Sequence, residues 1–206
     1  MTYTTHVVTF NKIPLYQGID ALYVDSSSVG VLPSNETAVS AKNKNSFHIE
    51  VYDRATLYFG LSLSNGYQLT KIQVGAATAS LNDGFFVVEN VSQDLSVNII
   101  TAPRQYTLSW TVTNASLEPI TPDFEMRLAV NKGSMRGDDR LTVSYGDSVT
   151  FYPSGVNFRQ NYHVEINGIQ YSWESFGAAV TETGGIFTWT YENIGSDTTI
   201  LFVKNT

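Results

Sequence analysis

Short runs in which apolar and polar residues alternate cover most of the chain, and this pattern is typical of β-strands. The clearest run spans residues 106–113, where Tyr106, Leu108, Trp110 and Val112 would lie on one face of a strand. Such runs recur about every 8 to 12 residues and are separated by turn-forming residues, as in sandwich folds. We therefore predict an all-β protein. The predicted strands are residues 3–10, 46–52, 56–63, 67–74, 78–81, 85–88, 95–100, 106–113, 125–131, 141–145, 148–152, 162–166, 169–173, 186–191 and 198–203.

Some regions are less regular or mark turns. Residues 15–45 contain only short apolar fragments between polar clusters, which indicates two or three short strands and exposed loops. The Asn-Gly pair at residues 167–168 and the Asp-Gly pair at residues 83–84 predict hairpins, because both central turn residues need positive φ. The only helical candidate is a turn at residues 174–180, weakened by its glycine.

One stretch of the chain occurs twice, at residues 85–97 and 187–200. Such a repeat indicates two copies of one structural unit. We predict two tandem domains, residues 1–102 and 103–206, joined by a short linker at residues 101–104. The matching positions, each 103 apart, are Glu89 and Glu192, Asn90 and Asn193, Val91 and Ile194, Asp94 and Asp197, and the Tyr-Thr pairs at 3–4 and 106–107.

The repeated signature is expected to have a structural role. Its aliphatic residue, Val91 or Ile194, can close the core, while the Asn and Asp can bond the backbone of the turn before the last strand. Such bonding is the ordinary use of Asn and Asp in turns, so we do not predict a ligand site here.

The second half resembles a known class of repeat. Residues 145–151 (YGDSVTF), 161–164 (NYHV), 166–168 (ING) and 192–200 (ENIGSDTTI) look like the bacterial repeat domains of cell-surface proteins of the Listeria-Bacteroides type. The first half shares less of this pattern and departs from it over residues 15–45. The resemblance implies tandem immunoglobulin-like β-sandwich domains, or small β-grasp-like modules, that act as stalks and adhesive spacers without an active site.

Composition narrows the class of partner. The chain has 12 basic and 19 acidic residues, for a net charge of −7, which argues against a nucleic-acid surface. It has no cysteine and therefore no disulfide. Residues 1–8 lack the features of a secretory signal, and no apolar run is long enough to span a membrane. Met1 favours a soluble protein made in the cytosol; the alternative is a trimmed chain whose signal is missing.

Motifs for catalysis or metal binding are absent from the sequence. His6, His48 and His163 have no metal-ligand spacing, and no nucleophile elbow, phosphate loop or dinucleotide fingerprint occurs. We predict no enzyme activity, no cofactor and no metal. The pairs that could offer oxygen ligands to Ca²⁺ without forming a recognised loop are Asp20 and Asp25, Asp138 and Asp139, and Asn82 and Asp83.

Two stretches could form a binding surface. Tyr171, Trp173 and Phe176 are close enough in sequence to form an aromatic platform for a surface glycan, although core packing accounts for most aromatic residues. Arg136 and Asp138 flank a glycine in the tripeptide that integrin ligands display. Because Gly-Asp is ordinary turn chemistry, we predict a hairpin turn there.

These observations favour a non-enzymatic structural protein. Repeats of a surface type without an export signal suggest a bacteriophage virion component, such as a capsid decoration or tail accessory protein. Its partners would be other virion proteins or copies of itself, bound through sheet faces and edges. The alternative is a fragment of a bacterial cell-surface adhesin or glycan-binding protein. In neither case do we expect nucleic-acid binding or membrane insertion.

Overall fold

The computed structural model describes residues 4–15, 17–24, 38–40, 45–75, 77–82, 85–154, 157–175, 181–183 and 186–206. The chain divides into two compact units, of which the first ends at Pro103 and the second begins at Arg104. Within the described residues, regular structure is β-strand apart from one helical turn, α1 (Phe158–Asn161). The prediction of an all-β protein is therefore confirmed.

Unit 1 is a β-sandwich. Its strands are β1 (Thr5–Ile13), β2 (Ile19–Val24), β3 (Ala38–Ser40), β4 (Ser46–Tyr52), β5 (Ala55–Leu63), β6 (Tyr67–Val74), β7 (Ala77–Thr78), β8 (Ser80–Asn82), β9 (Phe85–Val91) and β10 (Leu95–Pro103). They form two sheets with the orders β4-β1-β10-β6-β7 and β3-β2-β5-β9-β8. Buried residues of both sheets share one core, in which the ring centroids of Phe10 and Phe59 are 5.0 Å apart across the sheets.

Unit 2 has the same architecture. Its strands are β11 (Gln105–Thr113), β12 (Met126–Val130), β13 (Arg140–Ser144), β14 (Val149–Pro153), β15 (Tyr162–Ile166), β16 (Ile169–Tyr171), β17 (Thr181–Thr183), β18 (Ile186–Tyr191) and β19 (Thr198–Lys204). The sheets have the orders β13-β11-β19-β15-β16 and β12-β14-β18-β17. Phe151 on β14 and Phe202 on β19 meet across the sheets, with ring centroids 5.3 Å apart. Two packed sheets in each unit agree with a sandwich and not with the β-grasp-like alternative.

The first and last strands of each unit pair in parallel at the centre of one sheet. In unit 1, β1 pairs with β10, with Val8 opposite Leu95. In unit 2, β11 pairs with β19, with Leu108 opposite Thr198. The last strands are thus 103 positions apart, but the first strands are only 100 apart. By this register Thr107 corresponds to Val7 and not to Thr4, so that part of the predicted repeat is wrong. Tyr3 lies outside the described residues.

The repeated signature connects the last two strands of each unit. Asn90 and Asn193 have φ of 52° and 56°, a left-handed conformation that Asn tolerates better than most residues. The aliphatic residues that follow them, Val91 and Ile194, are buried in the two cores, as predicted. The signature therefore reverses the chain and fixes one core residue beside the turn.

The signature aspartates bond the first strand rather than their own turn. Oδ1 of Asp94 accepts a hydrogen bond from the backbone N–H of Val7, and Oδ1 of Asp197 accepts one from Thr107, both at 2.8 Å. Val7 and Thr107 are equivalent in the parallel register. Each aspartate therefore connects the start of the last strand to the first strand, although the two are separated in sequence by nearly the whole unit.

Every predicted strand overlaps an observed one, and residues 15–45 contain the short strands β2 and β3. Asn167 and Gly168 have φ of 50° and 79°, as the predicted turn requires. Two features differ from expectation: α1 has no counterpart among the predictions, and the strand predicted at residues 169–173 ends at Tyr171. The Asp83-Gly84 turn and most of the helical candidate at 174–180 lie outside the described residues.

Arg54 provides a test of the equivalence between the units. Its N–H donates to the carbonyl of Val91, and Gly146 donates in the same way to Ile194, both at 2.8 Å. The φ values are 61° at Arg54 and 81° at Gly146. Because a left-handed φ costs a non-glycine residue about 1 kcal/mol, we expect Arg54→Gly to stabilise unit 1 by about 0.5 kcal/mol after the entropy of the unfolded chain is included.

The matched variant, Gly146→Ala, should destabilise unit 2 by about 1 kcal/mol. All three tryptophans lie in unit 2, so in urea unfolding fluorescence reports on that unit and circular dichroism on both. An Arg54→Gly protein less stable than the wild type would contradict the equivalence of these two turns.

Candidate functional site

The predicted aromatic platform is not a surface feature at its centre. Trp173 is 7% exposed, and its ring lies 5.0 Å from that of Phe187 and 5.9 Å from that of Trp189, measured between centroids. The chain turns after Tyr171, at the point where Ser175 donates to the carbonyl of Ser172, and places Trp173 in the core. Core packing thus accounts for Trp173.

The other two residues of the predicted platform are Tyr171 and Phe176. Tyr171 is half-buried and packs against the same core. Phe176 lies outside the described residues. Glycan binding at Tyr171 and Phe176 stays a prediction.

The Arg136 and Asp138 segment does not form the predicted hairpin turn. The tight turn lies earlier, where Asn131 and Lys132 have φ of 48° and 60° and Gly133 donates to the carbonyl of Val130. Arg136 then pairs with Leu128 in an isolated antiparallel bridge. The tripeptide therefore lies on the return segment of the loop and not at its tip.

The segment from Arg136 to Asp139 crosses between the two sheets of unit 2. Leu128 and Arg136 exchange two backbone hydrogen bonds of 2.9 Å at one sheet. At the other sheet, Trp110 donates from its backbone N–H to the carbonyl of Asp139 and from Nε1 to the carbonyl of Asp138, each at 2.9 Å. Backbone contacts therefore hold both ends of the tripeptide while its side chains are exposed.

His6 and His163 lie on strands and each has a polar side-chain partner. His6 Nε2 lies 2.9 Å from Oδ1 of Asp53, and His163 Nδ1 lies 2.8 Å from Oδ1 of Asn205. His48 is exposed. In the part of the chain that the structure describes, no three His, Asp or Glu side chains are placed to hold a metal ion.

The acidic pairs considered for calcium are placed as follows. Asp20 accepts a hydrogen bond of 2.8 Å from the hydroxyl of Ser64. Asp138 and Asp139 are exposed on the β12–β13 loop. Asp25 and Asp83 lie outside the described residues, so those two pairs stay untested.

A buried lysine is the polar feature that the sequence analysis missed. Lys12 on β1 is 1% exposed and lies on the inward face with Val8 and Phe10. Its counterpart in unit 2 is Val112, which is buried as well. Burial lowers the pKa of the Lys12 ammonium below its ordinary value of 10.5, and the negative charge of Asp20 partly offsets this. The alternation of Val8, Phe10 and Lys12 was the signal that could have revealed it.

The chain packs closely beside Lys12. A Cβ atom on Gly18, which has φ of 82°, would lie 1.9 Å from Oγ1 of Thr101. Thr101 is itself buried, and its hydroxyl donates to the carbonyl of Ile13 at 3.4 Å. This end of unit 1 therefore requires glycine at position 18.

A second polar network lies on unit 2. The hydroxyl of Tyr162 donates to Oδ1 of Asp123 at 2.9 Å, and Nζ of Lys204 donates to Oδ2 at 3.1 Å. These hydrogen bonds, that of Tyr162 foremost, lower the pKa of Asp123. Burial, followed by the bond to Asp123, raises the pKa of Tyr162 to about 12. The network attaches the exposed segment before β12 to β15 and β19.

A groove of about 330 Å³ opens in unit 1 beside the signature turn. In unit 2 the register places Tyr191 at the position of Val88, and Tyr191 packs against the core. Polar and apolar side chains both line the groove, and Glu89 is the one charged residue among the described residues that line it. Its lining includes Val74, Val87, Val88, Leu95, Glu89, Asn90, Ser92 and Gln93.

No protein-family model and no curated protein matches the chain. Among solved structures, it is similar to the Bacillus anthracis TIE protein at 10% identity and a TM-score of 0.49, covering 98% of this chain and 34% of that one. It is also similar to the major pilin from Streptococcus pyogenes (11% identity, TM-score 0.32, 99% of both chains). The shaft pilin SpaA from Lactobacillus rhamnosus GG is a third (8% identity, TM-score 0.29, 100% and 99%).

This chain spans about a third of the length of the TIE protein. At these identities and scores the likeness identifies no family. In the described residues, no helix has the length and apolar character needed to cross a membrane.

Lys12→Met should stabilise unit 1 by about 1 kcal/mol at pH 7, because it replaces a buried charge with an apolar side chain of similar length. The folded pKa lies below 10.5, so between the two values the unfolded chain holds a proton that the folded chain lacks. Wild-type stability therefore rises over that interval, and the advantage of the variant should shrink. Urea unfolding followed by circular dichroism from pH 7 to 10.5 measures this.

Lys71→Met removes an exposed lysine from the same unit and is the matched control. A loss of stability in Lys12→Met at pH 7 would mean that the polar contacts of the lysine outweigh the cost of burying its charge.

Tyr162→Phe should reduce the loss of stability that unit 2 shows at alkaline pH. The unfolded tyrosine loses its proton at a pKa of 10.0, whereas the folded one keeps it to about 12, so wild-type stability falls across this window. The variant lacks this contribution and loses about 1 kcal/mol at pH 7 with its hydrogen bond. Urea unfolding followed by tryptophan fluorescence between pH 8 and 11.5 measures the stability of unit 2, and Tyr106→Phe is the control variant. If the stability of wild type and Tyr162→Phe changed with pH in the same way, the predicted role of Tyr162 would be refuted.

Proposed function

We propose that this chain is a non-enzymatic structural protein that carries mechanical load on the outside of a bacterial cell. In this proposal each unit is an immunoglobulin-like β-sandwich domain, with the boundary at residues 102–103 as predicted. The chain would be an adhesin or a spacer segment of one. The likeness of the second half to surface repeats of the Listeria-Bacteroides type stays part of this proposal.

The observation that carries the proposal is the parallel pairing of the first and last strands in both units. Parallel neighbours run in the same direction, so the chain reaches each unit at one end of the sandwich and leaves it at the other. A nine-residue strand such as β1 is about 30 Å long. Tension between the two ends of a unit would therefore act along the strands.

This geometry resists tension because the central ladder is loaded in shear. In shear, all the hydrogen bonds between the two strands share the force, whereas peeling breaks them one after another. The bonds from Val7 to Asp94 and from Thr107 to Asp197 lie at the start of the last strands and add a charge-assisted contact to each ladder. The same contact at equivalent positions supports one mechanical role for both units.

The surface is consistent with protein partners. Only 15% of the residues are charged, and the net charge of −7 disfavours nucleic acid. Edge strands such as β4 and β13 offer backbone groups to copies of the chain or to other surface proteins. A glycan remains a further candidate partner.

A bacteriophage virion component is the second candidate, since a decoration or tail accessory protein would also need domains that withstand force. The two differ in where the protein is found. Accessibility to antibody and to protease on intact cells supports the cell-surface role. Stoichiometric recovery in purified phage particles, with none on intact cells, would favour the virion and overturn the surface role.

The mechanical role can be measured by single-molecule pulling, since the chain has no cysteine to compete with engineered attachment sites. In Gln105→Cys with Thr206→Cys, force loads β11 and β19 in shear. In the control, Gln105→Cys with Ser196→Cys, both handles lie at the same end of these strands and the force peels them apart. We expect an unfolding force several-fold higher in the first geometry.

Asp197→Asn should lower the shear unfolding force by weakening the contact with Thr107. Equal forces in the two pulling geometries would remove the basis of the load-bearing proposal.

A further inference from the structure

We propose that residues Arg136 to Asp138 form a receptor-binding site. The Asp138 carboxylate would complete the coordination of a divalent cation held by a partner protein, and the Arg136 guanidinium would pair with a carboxylate of the same partner. This inference deepens the proposed adhesive role and rests on it.

The segment is held rigidly enough to present these groups. All residues from 131 to 140 are exposed, so a partner can reach the whole loop. Its backbone is nevertheless fixed at both ends, by the two bonds between Arg136 and Leu128 and by the two bonds from Trp110 to the carbonyls of Asp138 and Asp139. Because the ends are fixed in the free protein, less conformational entropy is lost on binding.

The fold does not use the side chains of the tripeptide. In the described structure neither the Arg136 guanidinium nor the Asp138 carboxylate has a hydrogen bond or an ion pair. The hydrogen bonds from Trp110 and Leu128 go to backbone atoms of the segment and do not depend on its side chains. The charges of Arg136 and Asp138 are therefore available to a partner.

Gly137 is not required by the fold either. It has no positive φ, and a Cβ added to it would meet no atom within 4 Å. By contrast, Gly18 and Gly146 both have positive φ, and a Cβ on Gly18 would also collide with Thr101. A glycine without a structural reason, between two unpaired opposite charges, leaves room for a partner surface to approach the backbone closely.

The chemistry of the two ends defines the partner. A carboxylate is the preferred protein ligand for Mg²⁺, Mn²⁺ and Ca²⁺, and an exposed one can fill an open coordination position on another protein. A guanidinium binds carboxylates in a bidentate manner that lysine does not reproduce. The partner should therefore present a bound divalent cation and, within reach of the Arg136 side chain, an acidic pocket.

The test uses the full chain and, as the probe, the purified ectodomain of an integrin that binds linear Arg-Gly-Asp peptides, immobilised in buffer with Mn²⁺. We expect saturable binding that EDTA abolishes. Asp138→Glu and Gly137→Ala should each weaken it at least tenfold, the first by moving the carboxylate and the second by obstructing close approach. Arg136→Lys should also weaken it, because the bidentate contact is lost.

Asp139→Glu is the matched control, since it makes the same change at the neighbouring exposed position. It should bind like the wild type. Gly137→Ala should unfold in urea at the same or a slightly higher concentration than the wild type, which separates loss of binding from loss of fold.

Two results would overturn the proposal: no binding of the wild-type chain to a preparation that binds the linear peptide, or equal binding of wild type and Asp138→Glu. Neither result bears on the pulling measurements or on the location of the protein, because the loop takes no part in the ladder between β11 and β19. The receptor site and the load-bearing role can therefore fail separately.

Discussion

The parallel pairing of first and last strands is the constraint on which both units depend. It brings together segments almost a whole unit apart in sequence, and it places them at the centre of a five-stranded sheet. The sheet cannot be completed until the last strand is in place. The signature aspartates act at that junction, since Asp94 and Asp197 each accept a backbone hydrogen bond from the first strand. The repeated residues thus serve a long-range contact rather than a local turn.

The two units fill the same framework differently. Unit 2 packs Trp173, Trp189 and Phe158 into one aromatic core. Unit 1 has smaller side chains, a groove beside its signature turn and a lysine buried where unit 2 has Val112. Their exposed loops also differ, and the β12–β13 loop is held by Trp110 of the first strand. A shared framework with different interiors and loops allows one unit to gain a binding site without altering the ladder.

The local features of this chain could be predicted from its sequence, and the long-range ones could not. Alternating side chains indicated nearly every strand, and Asn167 and Gly168 indicated a turn, because these signals arise from neighbouring residues. The true offset of the first strands was hidden by a chance Tyr-Thr match. The burial of Lys12 and Trp173 depends on which sheet covers them. The sequence predicts a turn at the Arg136 segment because the contacts from Trp110 and Leu128 have no local signal.

Two copies of one sheet in a single chain also create a risk of misassembly, because the first strand of one copy could pair with the last strand of the other. In unit 1 the side-chain amide of Asn11 donates to Asn98 and to Ser96 across the correct ladder. The corresponding positions on β19 are Leu201 and Thr199. A hybrid ladder would set Asn11 against leucine and lose the Asn11–Asn98 bond. This small polar contact therefore favours correct sorting of the two copies as the chain folds.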